Sequence, residues 1–203
     1  MGGGDIPRRT VYLITHPDVV IDPTVAVPRW PLSTRGIERM RAFVANPLVS
    51  RIGSVYCSTE QKAIDAAALL AAHCGIDYRM VAELGENDRS STGYLPGAEF
   101  QATADLFFAQ PERSVRGWET AAAAQRRIAG AIASILERDA CAGDVAIVSH
   151  GGVGTLYLCH LKRRSISREE EQPGTGGGNY YAFDARTQSL LHGWKPIDGS
   201  GRS

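Results

Sequence analysis

The chain has 203 residues, 43% of them hydrophobic, which suits one large domain or a domain with an embedded subdomain. Its 22 Lys and Arg residues balance its 22 Asp and Glu residues, so the formal net charge is zero. Nucleic acids and membrane surfaces attract basic patches, and this composition gives no electrostatic reason to expect either partner.

Short apolar runs rich in β-branched and aromatic residues alternate with segments of helical periodicity. The predicted strands are residues 10–14, 52–57, 78–81, 144–149, 179–184 and 189–194. The predicted helices are residues 33–44, 59–75, 99–109, 118–138 and 154–161. Alternation of this kind predicts an α/β fold, a three-layer α/β/α sandwich around a mainly parallel central sheet.

We expect one domain over residues 10–195. The Gly-rich segment 1–9 and the polar segment 196–203 are predicted to be flexible termini. Between the third strand and the next helix, residues 84–98 form a long polar loop. A loop of this length in a compact domain is usually functional or disordered.

The ends of the chain and the cysteines indicate a cytoplasmic protein. The first ten residues lack the apolar core of a secretory signal, and no apolar run reaches the length of a membrane span. The cysteines are scattered without a C-x-x-C pair, so we expect reduced thiols. We expect no metal ion and no cofactor, and the oligomeric state is left open.

Two histidines directly follow strands that are predicted to be buried. His16 lies in VYLITHPD and His150 in VAIVSHG, and a hydroxyl residue precedes each imidazole. Ligands of open parallel sheets bind beyond the carboxyl ends of the strands, so neighbouring strands would bring the two imidazoles together. The helix starts after His150 and before Lys62 would add backbone N–H groups that favour an anion. This combination predicts a phosphate pocket.

Five segments occur in a specific order and spacing: VYLITHPD, WPLSTRGIERMRAF, VYCSTEQKAIDAAALLA, ELGENDR and VAIVSHGGV. Together they resemble the motifs of the histidine phosphatase superfamily, the group that contains the cofactor-dependent phosphoglycerate mutases. The resemblance covers roughly residues 10–194, which is nearly the whole chain.

The resemblance implies a role for three residues. His16 matches the nucleophile, which would form a phosphohistidine. His150 matches the second pocket histidine, which stabilises the transferring phosphoryl group, and Glu86 matches the proton donor to the leaving oxygen. The resemblance also implies a small helical cap insertion over about residues 85–115, a part that usually selects the substrate.

The chemistry is reasonable for these residue types. A neutral imidazole is a nucleophile near neutral pH. Phosphoryl transfer depends mainly on in-line positioning and on positive charge around the equatorial oxygens. A carboxylic acid in a partly dry pocket keeps its proton and passes it to the leaving alkoxide.

The sequence departs from the family pattern where the pattern binds phosphate. Its Arg-His-Gly triplet is Thr15-His16-Pro17 here, and its second arginine is Lys62. Threonine and lysine lack the planar fork of donors with which arginine binds phosphate. A hydrogen bond to a charged group contributes about 1.5–3 kcal/mol, so we expect these replacements to slow the reaction by roughly two to four powers of ten. Pro17 also has no N–H and favours an extended His16 backbone.

Three residues remain candidate phosphate ligands: Thr15, Lys62 and Arg29. Arg29, in VPRWPL, would replace the missing charge, or it is a surface residue beside Trp30. Two functions stay open. The first is a metal-independent phosphatase acting on a small phosphomonoester through a phosphohistidine. The alternative is a catalytically impaired pseudophosphatase that binds a phosphorylated ligand or partner.

Overall fold

The structure is a computed structural model, and it describes residues 9–199. The strands are β1 (Thr10–Thr15), β2 (Ile52–Cys57), β3 (Tyr78–Met80), β4 (Asp144–Ser149), β5 (Asn179–Asp184) and β6 (Leu190–Pro196). The helices are α1 (Thr34–Val44), α2 (Gln61–Cys74), α3 (Gly97–Ala109), α4 (Ala121–Arg138) and α5 (Gly151–Leu161). Short 3₁₀ turns are Val27–Arg29, Pro47–Arg51, Ala82–Leu84 and Arg168–Glu170.

The strands form one sheet in the order β3-β2-β4-β1-β5-β6. β1 and β2 both pair in parallel with β4, and β3 pairs in parallel with β2. β5 and β6 extend the sheet in antiparallel pairing. The predicted α/β sandwich with a mainly parallel central sheet is therefore confirmed.

Each face of the sheet is covered by a different pair of helices. Val11 and Leu13 of β1 pack in the same cluster as buried residues of α4 and α5. Tyr12 and Ile14 pack in the opposite cluster with α1 and α2. Successive strand side chains point to opposite faces, so covering both faces buries the whole strand. This explains why β1 reads as an unbroken apolar run.

Two predicted helix starts are shifted. α4 begins at Ala121 and not at Trp118, because the Thr120 side chain caps it by accepting a hydrogen bond from Ala123 N at 3.1 Å. α5 begins at Gly151, earlier than predicted, and His150 in an extended conformation is its N-cap residue. The backbone N–H groups of the first turn of α5 thus lie beside a site histidine.

The described residues nearest the two ends of the chain pack against the rest of the domain. Arg9 donates to Gly143 O at 2.7 Å and to Asp139 Oδ2 at 2.7 Å. Pro196 ends β6, and Ile197 is only 3% exposed. These residues are ordered by packing and charge pairing, which composition does not reveal. The remaining terminal residues, 1–8 and 200–203, lie outside the described residues.

Arg39 links α1 to the loop after β1, to the glycine-rich segment before β5 and to the residues after β6. Its guanidinium donates to Asp18 Oδ2 at 2.8 Å and to Asp198 Oδ2 at 2.7 Å. It also donates to the carbonyl oxygens of Gly177 and Gly178, both at 3.1 Å. The side chain is 11% exposed, so these charge-assisted bonds are largely shielded from solvent. Arg39 thereby fixes the loops that surround His16.

We expect Arg39→Met to lower the free energy of unfolding by about 2–4 kcal/mol, because two carboxylates and two carbonyls lose their donor in a mostly buried position. Arg41→Met, on the exposed face of the same helix, is the matched control and should change it by less than about 0.5 kcal/mol. Urea denaturation measures both values. Equal effects of the two substitutions would contradict this assignment.

Candidate active site

The structure brings the two predicted histidines together at the carboxyl ends of neighbouring strands. Thr15 of β1 pairs with Ser149 of β4, so the next residue of each strand is a histidine. His16 N also donates to Ser149 O at 3.1 Å. The imidazole rings of His16 and His150 meet edge to face, with centroids 5.2 Å apart.

His16 has its ring orientation set by its own neighbour. Its Nδ1 lies 2.9 Å from the carbonyl oxygen of Pro17. A carbonyl only accepts, so this contact places the proton on Nδ1 and leaves the Nε2 lone pair free. Burial and the nearby His150 lower the pKa of His16 to about 3, so the ring is neutral near pH 7. Pro17 has no backbone N–H to donate, but its carbonyl oxygen accepts the hydrogen bond that orients the His16 ring.

A glycine-rich loop holds the backbone of His16. Gly178 N donates to His16 O at 3.1 Å. Gly177 adopts φ +68°, and a Cβ there would come within 2.2 Å of the same carbonyl. Glycine is required at Gly177 for both reasons. The segment 173–178, which reads as a flexible turn in the sequence, is thus part of the site.

His150 is fully buried and contacts two polar side chains through one nitrogen. Its Nε2 lies 2.7 Å from Ser58 Oγ and 3.3 Å from Glu60 Oε1. Burial lowers the pKa of His150 below its usual value. Its Nδ1 is buried without a hydrogen-bond partner among residues 9–199, as is Asn87 Nδ2 at the cavity wall. Orphaned polar groups are uncommon in folded proteins and often mark functional sites.

Lys62, a predicted phosphate ligand, already has protein partners. Its ammonium group is buried and donates to Glu60 Oε2 at 2.5 Å and to Val27 O at 2.9 Å. Burial opposes ionisation of Glu60, but His150 and Lys62 outweigh it and lower the pKa of this carboxyl to about 2. Glu60 Oε1 also accepts from Glu86 N at 2.9 Å.

Sequence reasoning missed Glu60. Glu60 is the N-cap residue of α2. It lies two residues before Lys62, the lysine that stands where the family pattern has its second arginine. The one available signal was an acidic residue at a helix N-terminus, a position that attracts carboxylates for reasons unrelated to function. Its proximity to His150 depends on the packing of α2 against β4.

Glu86 occupies the N-terminus of α5. Its Oε2 accepts from Gly152 N at 3.0 Å, and its Oε1 accepts from Val153 N at 2.9 Å and from Asn87 N at 3.1 Å. A Cβ at Gly152 would approach Glu86 Oε1 to 2.6 Å, so a side chain there would displace the Glu86 carboxylate. The helix start predicted to hold an external anion therefore holds a carboxylate of the protein itself.

The other two predicted phosphate ligands lie outside the open part of the site. Thr15 is fully buried, and its hydroxyl donates to Gln172 Oε1 at 2.7 Å and accepts from Asn179 N at 3.0 Å. Arg29 is exposed in the turn Val27–Arg29 and lines neither of the cavities described below. Thr15 thus connects β1 to β5 and to the segment after α5.

The histidine cavity, of about 230 Å³, is lined by His16, Glu86 and Arg89. Aromatic residues form a further wall, namely Phe100, Phe107, Phe108 and Trp118. A second cavity of about 540 Å³ shares Glu86 and Arg89 with the first and is bounded by the mainly apolar segment 23–28 and by Tyr94. Both cavities therefore meet at the loop that follows the Ala82–Leu84 turn.

The segment predicted as a cap insertion, about residues 85–115, contains this loop and α3. Phe107 of α3 packs with Trp118 and with residues of α4 in one buried cluster. The segment is therefore packed against the sandwich on the side of the histidine cavity. Within residues 9–199, no helix is long and apolar enough to cross a bilayer, and no cluster of three or more His, Cys, Asp or Glu is arranged to hold a metal ion.

Comparisons with known proteins agree with this architecture. The family model "Histidine phosphatase superfamily (branch 1)" matches residues 26–192. A comparison with curated proteins gave no match. Among solved structures, a mycobacterial glucosyl-3-phosphoglycerate phosphatase is similar, with 18% identity, a TM-score of 0.72, and coverage of 92% of this chain and 96% of that one.

Two further solved structures share the fold. A putative α-ribazole-5'-P phosphatase from Escherichia coli has 17% identity and a TM-score of 0.73, and the match covers 96% of this chain and 99% of that chain. Bacillus stearothermophilus YhfR has 21% identity and a TM-score of 0.68, with 91% and 95% covered. At these identities the likeness concerns the fold.

The fold and site define an α/β protein in which two histidines meet at the edge of the sheet and one of them, His16, lines a cavity. The chain belongs to the histidine phosphatase superfamily. This membership supports a phosphoric monoester hydrolase. The matched range includes Glu86 and His150 but begins after His16, so the position of His16 is known from the pairing of β1 with β4.

The lowered pKa of His16 should make the stability of the protein sensitive to acid. Folding lowers the pKa of His16 from an ordinary value of 6.5 to about 3, so between these pH values the unfolded chain binds more protons. Stability from this group is full above pH 6.5 and falls as the pH drops. We expect the free energy of unfolding to fall between pH 7 and pH 5 by about 1–2 kcal/mol more in the wild type than in His16→Gln.

Urea titrations at the two pH values measure this difference. His73→Gln, at an exposed position on α2, is the control and should behave as the wild type does. A His16→Gln variant with the full wild-type pH dependence would show that His16 is not held neutral by burial.

Proposed function

We propose that this protein is a metal-independent phosphatase that hydrolyses small phosphomonoesters through a phosphohistidine at His16. The observation that carries the proposal is the contact of His16 Nδ1 with Pro17 O at 2.9 Å. It leaves an unprotonated Nε2 on a neutral imidazole that lines a cavity and faces a second imidazole. These are the requirements for a nitrogen nucleophile at neutral pH.

The reaction proceeds in two displacements at phosphorus. His16 Nε2 attacks in line, a P–N bond forms, and the P–O bond to the leaving group breaks. Glu86 lines the same cavity, and its carboxylate accepts from Gly152 N and Val153 N. In the proposed step Glu86 first takes up a proton from solvent and then passes it to the leaving oxygen. Water then attacks the phosphohistidine, the P–N bond breaks with its electron pair returning to Nε2, and Glu86 accepts the proton of the water.

The surrounding charges suggest a slow enzyme. The ammonium of Lys62 is paired with Glu60, and the N-terminus of α5 is paired with Glu86. His16 is neutral near pH 7, because burial and the nearby His150 lower its pKa to about 3, and burial also lowers the pKa of His150. Apart from Arg89, little uncompensated positive charge therefore faces the phosphoryl oxygens, whose charge phosphoryl-transfer enzymes normally neutralise.

We expect His16→Asn to reduce hydrolysis of an aryl phosphate by at least about 10³-fold, because the covalent route is removed. His73→Asn is the matched control and should keep wild-type activity, since this histidine is exposed on α2. The phosphoenzyme should be trapped by rapid quench in the wild type and absent from His16→Asn. A chelator should leave the wild-type rate unchanged. Equal rates for wild type and His16→Asn would refute the nucleophile assignment.

A second candidate is a pseudophosphatase that binds a phosphorylated ligand or partner without turnover. The occupation of both anion-binding positions by Glu60 and Glu86 favours it. The same assays separate the two functions. Phosphate binding without hydrolysis or phosphoenzyme across a panel of phosphomonoesters would support the pseudophosphatase.

A further inference from the structure

We propose that Arg89 binds the phosphoryl group at His16 and replaces the arginine that is missing from the end of β1. The inference rests on the pocket assigned under the proposed function, and it adds a phosphate ligand to Thr15, Lys62 and Arg29, the three that the sequence suggested. Arg89 stands on the loop after Glu86, far along the chain from Thr15.

The charge inventory of the histidine cavity points to Arg89. Among the described residues that line this cavity, Arg89 is the only lysine or arginine. Lys62 is buried against Glu60 and does not line it. Arg29, the replacement considered from sequence, is exposed elsewhere. A phosphoryl group at His16 thus has one cationic side chain on the walls of its own cavity.

The guanidinium of Arg89 is held by aromatic rings, which leaves its N–H groups available. Its Cζ lies 5.1 Å from the ring centroid of Phe100 and 5.7 Å from that of Trp118. Within residues 9–199, no hydrogen bond or ion pair engages the guanidinium. A stacked guanidinium keeps its donors in the plane of the fork, where they match the oxygens of a phosphoryl group.

The backbone of Arg89 is fixed through the same tryptophan. Trp118 Nε1 donates to Thr92 Oγ1 at 2.9 Å, and Thr92 Oγ1 lies 3.3 Å from Arg89 O. The charge of Arg89 also contributes to the lowered pKa of His150, after burial and other nearby charges, so it is sensed inside the site. His16 and Arg89 line the same cavity, of about 230 Å³.

The test measures binding of inorganic phosphate by calorimetry together with steady-state hydrolysis of an aryl phosphate. We expect Arg89→Met to weaken phosphate binding and to lower kcat/KM by about 10- to 100-fold, the size of one charge-assisted contact. Arg89→Lys should lie between Arg89→Met and the wild type, because it keeps the charge without the fork. Arg186→Met, exposed in the turn between β5 and β6, should match the wild type in both measurements.

The outcomes distinguish this inference from the proposed function. Phosphate binding that depends on Arg89 without any hydrolysis would leave the assignment of Arg89 standing and overturn the phosphatase. Hydrolysis that depends on His16 but is unchanged in Arg89→Met and Arg89→Lys would overturn the assignment of Arg89 and leave the phosphatase standing. A wild type that binds no phosphate would overturn the assignment of Arg89 as well.

Discussion

The parallel pairing of β1 with β4 is the constraint on which the site depends. Because Thr15 lies opposite Ser149, the chain leaves both strands at the same height, and each next residue is a histidine. A shift of one residue in this register would send one imidazole toward the opposite face of the sheet. The unbroken apolar character of both strands, buried by helices on both faces, holds that register.

The electrostatics of the pocket follow from the same burial. Low solvent exposure disfavours the charged form of both imidazoles, so their pKa values are lowered and the pocket begins with little positive charge. Carboxylates of the protein itself occupy the positions where a cation and a helix N-terminus could bind an external anion. Glu60 pairs with Lys62, and Glu86 caps α5. A phosphorylated ligand must therefore find its attraction elsewhere, and the loop after Glu86 is where the described chain offers it.

The segment between the third strand and α4 has two functions in this arrangement. Its aromatic residues, Phe107 and Trp118, extend the hydrophobic core, while its loop reaches back to the histidines through Glu86 and Arg89. The guanidinium of Arg89 stacks on Phe100 and Trp118, and this contact links the loop to the aromatic residues. Packing thus determines where a charge from this segment lies relative to the sheet edge.

The sequence by itself determined the sandwich, the strand order along the chain and the two histidines, because apolar periodicity and strand-end position are local properties. It also indicated Glu86 through the motif that surrounds it. Only the tertiary structure decided which polar groups are free to meet a ligand. Thr15 donates to Gln172, which lies far away in the sequence. Lys62 donates to Glu60, which no sequence motif singles out.

The position of Arg89 was likewise settled by packing. No pattern in the loop 84–98 separates it from other arginines on the surface, because its stacking partners, Phe100 and Trp118, belong to other segments. Residue type and spacing specify which chemistry is available to a chain. Burial, ion pairing and long-range contacts specify which of those groups remain available in the folded protein, since each hydrogen bond made internally is one that a ligand must replace.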